Sequence, residues 1–297
     1  MIVQLVAGVN MNNGEMSELG QQRSVAIILA AYNEESCLRE RLENLLALEY
    51  PAELIKIYVG LDGCDDGSAE IVKDVADNIE RVMVHDFSER RGKVAVLKDL
   101  VKHAVEDIGN DGVLVFTDAN TMFRTDALNR MLPYFEDGDI GGVCGRLVLL
   151  EDDFKNGNKE SATAESSYWG WETKLKMAES SIDSCLGANG AIYAMRSELF
   201  WRELSDNSLI DDFVIGMKIR EQGKRLIYEP EAVAEELLPE QAAEWGAAGY
   251  GLVPVGIRRW GCVGNVYYLN MVSLPGCFGR IKCCGGLLHI FCWFYWG

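Results

Sequence analysis

The sequence predicts an α/β fold with a mainly parallel central sheet flanked by helices. Three observations carry that expectation. Short apolar runs alternate with segments of helical spacing from Val25 to Thr117. The intervals match βαβ units, whose strands lie parallel. Each candidate functional residue in this half stands just after an apolar run, where ligands of open α/β sheets bind.

The elements follow in order. Val25 to Ala30 is an uninterrupted apolar run and reads as a strand buried on both faces. Asn33 is expected to cap the next helix, with Glu34 and Glu35 near its N-terminus and Leu38, Leu42, Leu45 and Leu46 at helical spacing. Pro51 closes the connection, and Leu54 to Leu61 is the second strand, running into Asp62-Gly63-Cys64-Asp65-Asp66-Gly67-Ser68. Ala69 to Asn78 reads as a helix, Val82 to His85 as a strand, and Val94 to Val105 as a helix entered through Arg90-Arg91-Gly92-Lys93. Val113 to Thr117 is the fourth strand and delivers Asp118-Ala119-Asn120. The second half is less regular. A strand is expected at Val143 to Leu150, a Trp-rich helix at Ser166 to Ser180, a short strand at Ala191 to Met195, a helix at Phe213 to Gln222 opened by Asp211 and Asp212, and a strand at Arg225 to Tyr228.

Composition narrows the classes. The 297 residues suit one large α/β domain or two small ones, and 48% hydrophobic content supports a sizeable core. A net charge of −18 argues against a general nucleic-acid binder. The nine Cys are scattered, without a disulfide framework or zinc spacing, which fits a reducing compartment. No basic signal region precedes an apolar core near Met1, and no apolar run reaches the length of a membrane span. No G-x-G-x-x-G follows the first strand, which disfavours a dinucleotide oxidoreductase.

Several residues carry possible chemistry, each beside a plainer reading. Tyr32 can stack on a base and Glu34 opens a helix, although a helix cap explains the same pattern. Asp62 can accept from a base or ribose hydroxyl, while Asp65, Asp66 and Gly67 fit turn chemistry. Arg90, Arg91 and Lys93 can face a phosphate or offset an acidic surface. Asp118 at a strand end can hold a hard cation against a diphosphate, or cap a surface turn. Of Asp211 and Asp212, one can orient while the other acts as a general base; a capping pair is the alternative. Gly187-Ala188-Asn189-Gly190 lets a bulky substrate approach the backbone, or is a plain turn.

The order of these motifs is more specific than any one of them. Y-N-E-E, D-G-C-D-D-G-S, R-G-K, D-A-N, G-A-N-G and I-D-D, with Gly145-Arg146-Leu147 and Tyr168-Trp169-Gly170-Trp171-Glu172, resemble a family 2 glycosyltransferase of GT-A fold over Ser24 to about Trp245. The resemblance implies inverting sugar transfer from a nucleotide-diphosphate sugar, most readily a UDP-sugar, to a polysaccharide or lipid-linked acceptor. It implies that Tyr32, Glu34 and Asp62 bind the nucleotide, that Lys93 lies near the donor, and that Asp118 anchors Mg2+ or Mn2+. Asp212 would deprotonate the acceptor, with Trp171, Gly187, Ala188, Asn189 and Asp211 in the acceptor site. Asn120 departs from the usual D-x-D pattern; as a neutral oxygen ligand it is expected to reach the cation through water. A nucleotidyltransferase would carry a Gly-rich basic loop where this chain has Tyr32-Asn33-Glu34-Glu35, and a non-catalytic nucleotide-sugar-binding remnant would share every residue up to Trp245.

The domain reading is a poorly ordered leader at 1–23, a transferase domain at 24–245 and an aberrant, poorly ordered tail at 246–297. After Glu244 there is no Asp or Glu, and five of the nine Cys lie here. Membrane-bound members of the family continue instead with a basic R-R-x-R-I-G-A-G segment, an Arg-Trp motif and transmembrane helices. Ala247–Val255 can be encoded so that a shifted frame reads G-R-R-V-R-I-G-A-G, and Pro275–Gly286 shifts in the same frame to W-L-F-W-S-H-K-V-L-R-W. The tail is therefore expected to be a frame-shifted translation. The parent would be membrane-embedded, with its site on the cytoplasmic face; this chain would keep the nucleotide site and little transferase activity.

Overall fold

A computed structural model describes residues 22–150, 173–200, 211–237, 259–263 and 266–270, with the last two stretches and 211–212 described by backbone alone. The chain divides into two compact units, one of Met1–Leu150 with Glu165–Leu237 and one of Glu151–Ala164 with Leu238–Gly297. The expected leader, apart from Gln22 and Arg23, and most of the expected aberrant tail lie outside the described residues. Within the second unit, β9 (Arg259–Val263) and β10 (Val266–Asn270) form an antiparallel pair.

The first unit is built on an eight-stranded sheet. Its strands are β1 (Val25–Ala31), β2 (Ile55–Asp62), β3 (Val82–Phe87), β4 (Val113–Thr117), β5 (Thr121–Phe123), β6 (Ile140–Leu150), β7 (Ile192–Arg196) and β8 (Arg225–Leu237), in the order β3-β2-β1-β4-β7-β6-β8-β5. The pairs β1–β2, β1–β4, β2–β3 and β6–β8 are parallel; β4–β7, β6–β7 and β5–β8 are antiparallel. The helices are α1 (Leu38–Leu46), α2 (Ser68–Ala76), α3 (Lys93–Ile108), α4 (Ala127–Met131), α5 (described over 173–182) and α6 (Asp211–Glu221). The chain thus has the α/β architecture that the first half of the sequence predicts.

Alternation along the strands explains the layering. Val25, Ile27, Leu29, Val113 and Val115 face one apolar cluster with Leu38, Leu42 and Leu45 of α1; Ala26, Ile28, Leu114 and Phe116 face another with Val96, Leu97 and Leu100 of α3. Side chains two apart share a face. A strand apolar at every position must therefore be covered on both faces.

The expected cap at Asn33 is not formed. Cys37 is the residue before α1, and Asn33 sits at φ 56. The reason is a competing bond: Asn33 Nδ2 donates to Asp65 Oδ1 at 2.5 Å, and Asp65 N–H donates to Asn33 Oδ1 at 3.0 Å. Asn33 ties the loop after β1 to the loop after β2 instead. Strand β8 is also longer than expected. It continues past a register shift opposite Cys144/Arg146, which accommodates Pro230. The first residues of the expected Trp-rich helix, Ser166 to Glu172, lie outside the described residues.

Candidate active site

Strand order reverses at β1: β2 and β3 lie on one side and β4 on the other. Such a switch point opens a crevice at the carboxyl ends of the strands. Here it is a cleft of about 260 Å³, lined by Ala30 and Ala31 at the end of β1 with Tyr32 and Glu34 beyond it, Asp62 at the end of β2, Arg90 and Gly92 before α3, Lys93 at its first position, and Asp118, Ala119 and Asn120 after β4. Seven of the residues picked from the sequence therefore line one cleft: Tyr32, Glu34, Asp62, Arg90, Lys93, Asp118 and Asn120.

Asp62 is 4% exposed. Its Oδ1 accepts the Arg91 N–H at 2.6 Å and its Oδ2 accepts the Gly92 N–H at 2.8 Å. The carboxylate thus shapes the 90–92 loop as well as lining the cleft. Gly63 makes this approach possible: at φ +67, a Cβ there would lie 2.5 Å from the Arg90 backbone nitrogen. The Arg90 guanidinium stacks over the Tyr32 ring, 3.8 Å from its centroid, on a face expected to be open to a base. Asp66 bonds the Glu35 N–H at 3.1 Å and the Ser68 N–H at 3.0 Å. Asp65 and Asp66 are therefore held in loop architecture.

Lys93 Nζ donates to Asp118 Oδ1 at 2.7 Å, with the two side chains 43% and 35% exposed. Asn120 Nδ2 donates to Glu236 Oε1 at 2.7 Å. Glu236 reaches the site because β5 pairs with β8, opposing Thr121 to Glu236. Burial raises the Glu236 carboxyl above its usual range, the negative charge of Asp118 adds to this, and the Asn120 amide opposes it. Glu236 escaped sequence reading because it sits in a Glu-rich stretch that reads as polar loop.

No group of three or more His, Cys, Asp or Glu suited to a metal ion gathers among the described residues. The donor set nevertheless fits a hard divalent cation. Asp118 and Glu236 are carboxylates close enough to repel, Asn120 adds an amide, and Mg2+ typically takes one or two protein carboxylates and completes its shell with water and substrate phosphates.

The acceptor-side residues are partly described. Thr117 pairs with Ile192, so the loop leading into β7 lies beside Asp118. A Cβ on Gly187 would meet the Phe213 ring at 2.9 Å, which places the 187–190 loop against the start of α6. Asn189 folds onto its own loop, its Oδ1 accepting the Ala191 N–H at 3.1 Å. Ala188 is buried, and Lys176 Nζ donates to the Gly187 carbonyl at 3.1 Å. The backbone of Asp211 and Asp212 opens α6; their side chains and Trp171 lie outside the described residues.

Fold and cleft together define a class: an α/β protein of GT-A architecture with an acidic cleft at its switch point. The chain belongs to glycosyltransferase like family 2, whose profile matches residues 22–248. Among curated relatives, a poly-beta-1,6-N-acetyl-D-glucosamine synthase of Staphylococcus aureus is 26% identical over 236 residues, covering 76% of this chain and 54% of that protein. A beta-monoglucosyldiacylglycerol synthase of Trichormus variabilis is 28% identical over 161 residues, covering 54% of this chain and 30% of that protein. The chain thus spans about half the length, or less, of these relatives. Among solved structures, the mannosyltransferase PcManGT of Pyrobaculum calidifontis, in complex with GDP-Man and Mn2+, superposes with a TM-score of 0.60 at 23% identity, covering 75% of this chain and 59% of that one. Staphylococcus aureus TarS 1-349 in complex with UDP-GlcNAc gives 0.51 at 18%, covering 73% and 59%. At these identities the superpositions speak to fold.

Proposed function

We propose that this chain carries the donor and acceptor sites of an inverting, metal-dependent hexosyltransferase, which moves a sugar from a nucleoside-diphosphate sugar to a saccharide or lipid-linked acceptor. The observation that carries this reading is the convergence of Tyr32, Asp62, Lys93 and Asp118 on one switch-point cleft. The names of the relatives support it: two are synthases of a polysaccharide or a glycolipid, and the two superposed structures hold GDP-Man or UDP-GlcNAc.

In this reading Tyr32, Glu34 and Asp62 receive the nucleotide, and Lys93 turns from Asp118 toward the diphosphate. Asp118, with Asn120 and Glu236 beside it, holds Mg2+ or Mn2+. Such a cation, when bound, would supply positive charge against a leaving diphosphate. Asp212, at the second position of α6, takes the proton of the attacking hydroxyl. Asp211, Trp171 and the Gly187-Ala188-Asn189 loop position the acceptor. In this reading the parent protein works at the cytoplasmic face of a membrane; no helix among the described residues is long and apolar enough to cross one.

The test is release of UDP or GDP from a panel of nucleotide sugars with Mn2+ and oligosaccharide or diacylglycerol acceptors. Release that Asp212→Asn abolishes supports catalysis. Nucleotide binding without release from any donor–acceptor pair supports a binding remnant, the reading favoured by a tail that lacks the family's basic segment. Absence of nucleotide binding overturns both. The frame-shift reading of the tail has its own check in the DNA across the codons for Glu244 to Ala248, where an intact frame overturns it.

A further inference from the structure

Arg41 lies in the middle of α1 on the stripe that also holds Leu38, Leu42 and Leu45, and it is 0% exposed. Among the described residues no carboxylate stands within ion-pair distance of it, and its Nε has no hydrogen-bond partner. Burial pushes its pKa down to about 9, so it remains charged near neutral pH. A buried cation without an ion-pair partner is a costly way to fill a core, and apolar replacements of such groups are often neutral or stabilising. Its neighbours indicate what it does instead.

Arg41 Nη2 donates to Thr117 Oγ1 at 2.6 Å, and Thr117 Oγ1 donates in turn to the Ala191 carbonyl at 3.0 Å. Arg41 Nη1 donates to Asn44 Oδ1 at 2.6 Å. Asn44 is paired with the backbone of Phe123, donating to its carbonyl at 2.8 Å and accepting its N–H at 2.9 Å. The guanidinium also stacks over the Phe123 ring, 4.4 Å from its centroid. The Asp118-Ala119-Asn120 turn is thus held at both ends from α1, at Thr117 before it and Phe123 after it. The same bonds reach Ala191, which follows the 187–190 loop.

Taking the donor-site reading as its basis, we infer that Arg41 is a positioning residue that fixes Asp118 for the cation–nucleotide complex and couples it, through Thr117 and Ala191, to the acceptor-side loop. Its charge acts on Asp118 through the protein rather than by contact. A planar fork with fixed donor directions suits this bracing; an ammonium holds one direction less firmly.

The experiment compares wild type, Arg41→Lys, Arg41→Met, Thr117→Val and the core control Leu45→Ala in the full chain. The readout is the Mn2+ concentration giving half-maximal binding of UDP, with GDP as second probe, alongside thermal unfolding. Thr117→Val and Arg41→Met are expected to raise the Mn2+ midpoint by about 10- to 100-fold, as loss of groups that orient metal ligands does elsewhere. Arg41→Lys should fall between Arg41→Met and wild type, and Leu45→Ala should lower the melting temperature without moving the midpoint. An unmoved midpoint in Thr117→Val overturns the inference, as does an equal shift in Leu45→Ala. Thr117→Val decides the matter if Arg41→Met does not fold. If wild type binds neither nucleotide, the donor-site reading itself fails, an outcome distinct from normal binding with unmoved variants.

Discussion

At the scale of single residues, Asp62 is both lining and framework. It accepts two backbone N–H groups from the loop that leads to Lys93, and it lines the cleft as well. Replacing it with Ala leaves both donors without their acceptor, a loss of about 1–3 kcal/mol for a buried group. Asp62→Ala is therefore expected to lower unfolding free energy by about 2 kcal/mol in a urea titration. It should also weaken UDP binding beyond the effect of one lost contact, because the 90–92 loop moves with it. Arg41 shows how a sequence signal can be present and unread. Position 41 falls on the apolar stripe of α1, and a charge on that stripe is anomalous. Counting leucines finds the stripe; asking what breaks it finds the arginine.

At the scale of elements, the parallel half of the sheet was legible because β1, β2 and β4 are near-continuous apolar runs, β2 and β4 ending in a polar residue. Val113–Thr117 is observed with the bounds expected, and Ile55–Asp62 differs from expectation by one residue at each end. The second half was legible in part: the strands expected at 143–150 and 191–195 and the helix expected at 213–222 are observed within three residues of those bounds, whereas one strand was missed and another cut short. Strand β5 is only three residues long, too short for any period to show. Strand β8 runs through Glu229, Pro230, Glu231, Glu235 and Glu236, which read as loop; its pairing with β6 and β5 outweighs that local preference. Glu236 was hidden for the same reason. Strand β3 and α3 also carry a pH-sensitive contact. His85 stacks on His103 at 4.7 Å, and its pKa is lowered, first by burial and then by His103, against Asp99. The folded state thus resists a proton that the unfolded chain accepts at its ordinary pKa of about 6.5. This contribution to stability is full above that value and is lost as pH falls from it through the lower pKa of the folded state. Melting temperature should drop as pH falls below about 6.5, and His85→Gln should reduce the drop, as read by thermal denaturation on both sides of that value.

At the scale of the whole molecule, a chain of net charge −18 must gather its phosphate-binding capacity locally. It does so by topology. The loops after β1, β2 and β4 and the start of α3 meet at one switch point, where Lys93 already neutralises Asp118. Free Mn2+ must compete with that ammonium, whereas Mn2+ arriving with a diphosphate offers Lys93 a new partner. Nucleotide and metal are therefore expected to stabilise the fold together far more than either alone. A ligand at about 100 times its Kd adds about 2.7 kcal/mol to the folded state. For a domain of this size that corresponds to several degrees of melting temperature, at roughly 2–4 °C per kcal/mol. Thermal unfolding with UDP alone, Mn2+ alone and both should give small, small and large shifts, and EDTA should reverse the third. Equal shifts with UDP in the presence and absence of Mn2+ would leave Asp118 without a cation to hold, and the ion pair with Lys93 would then be its resting and working state alike.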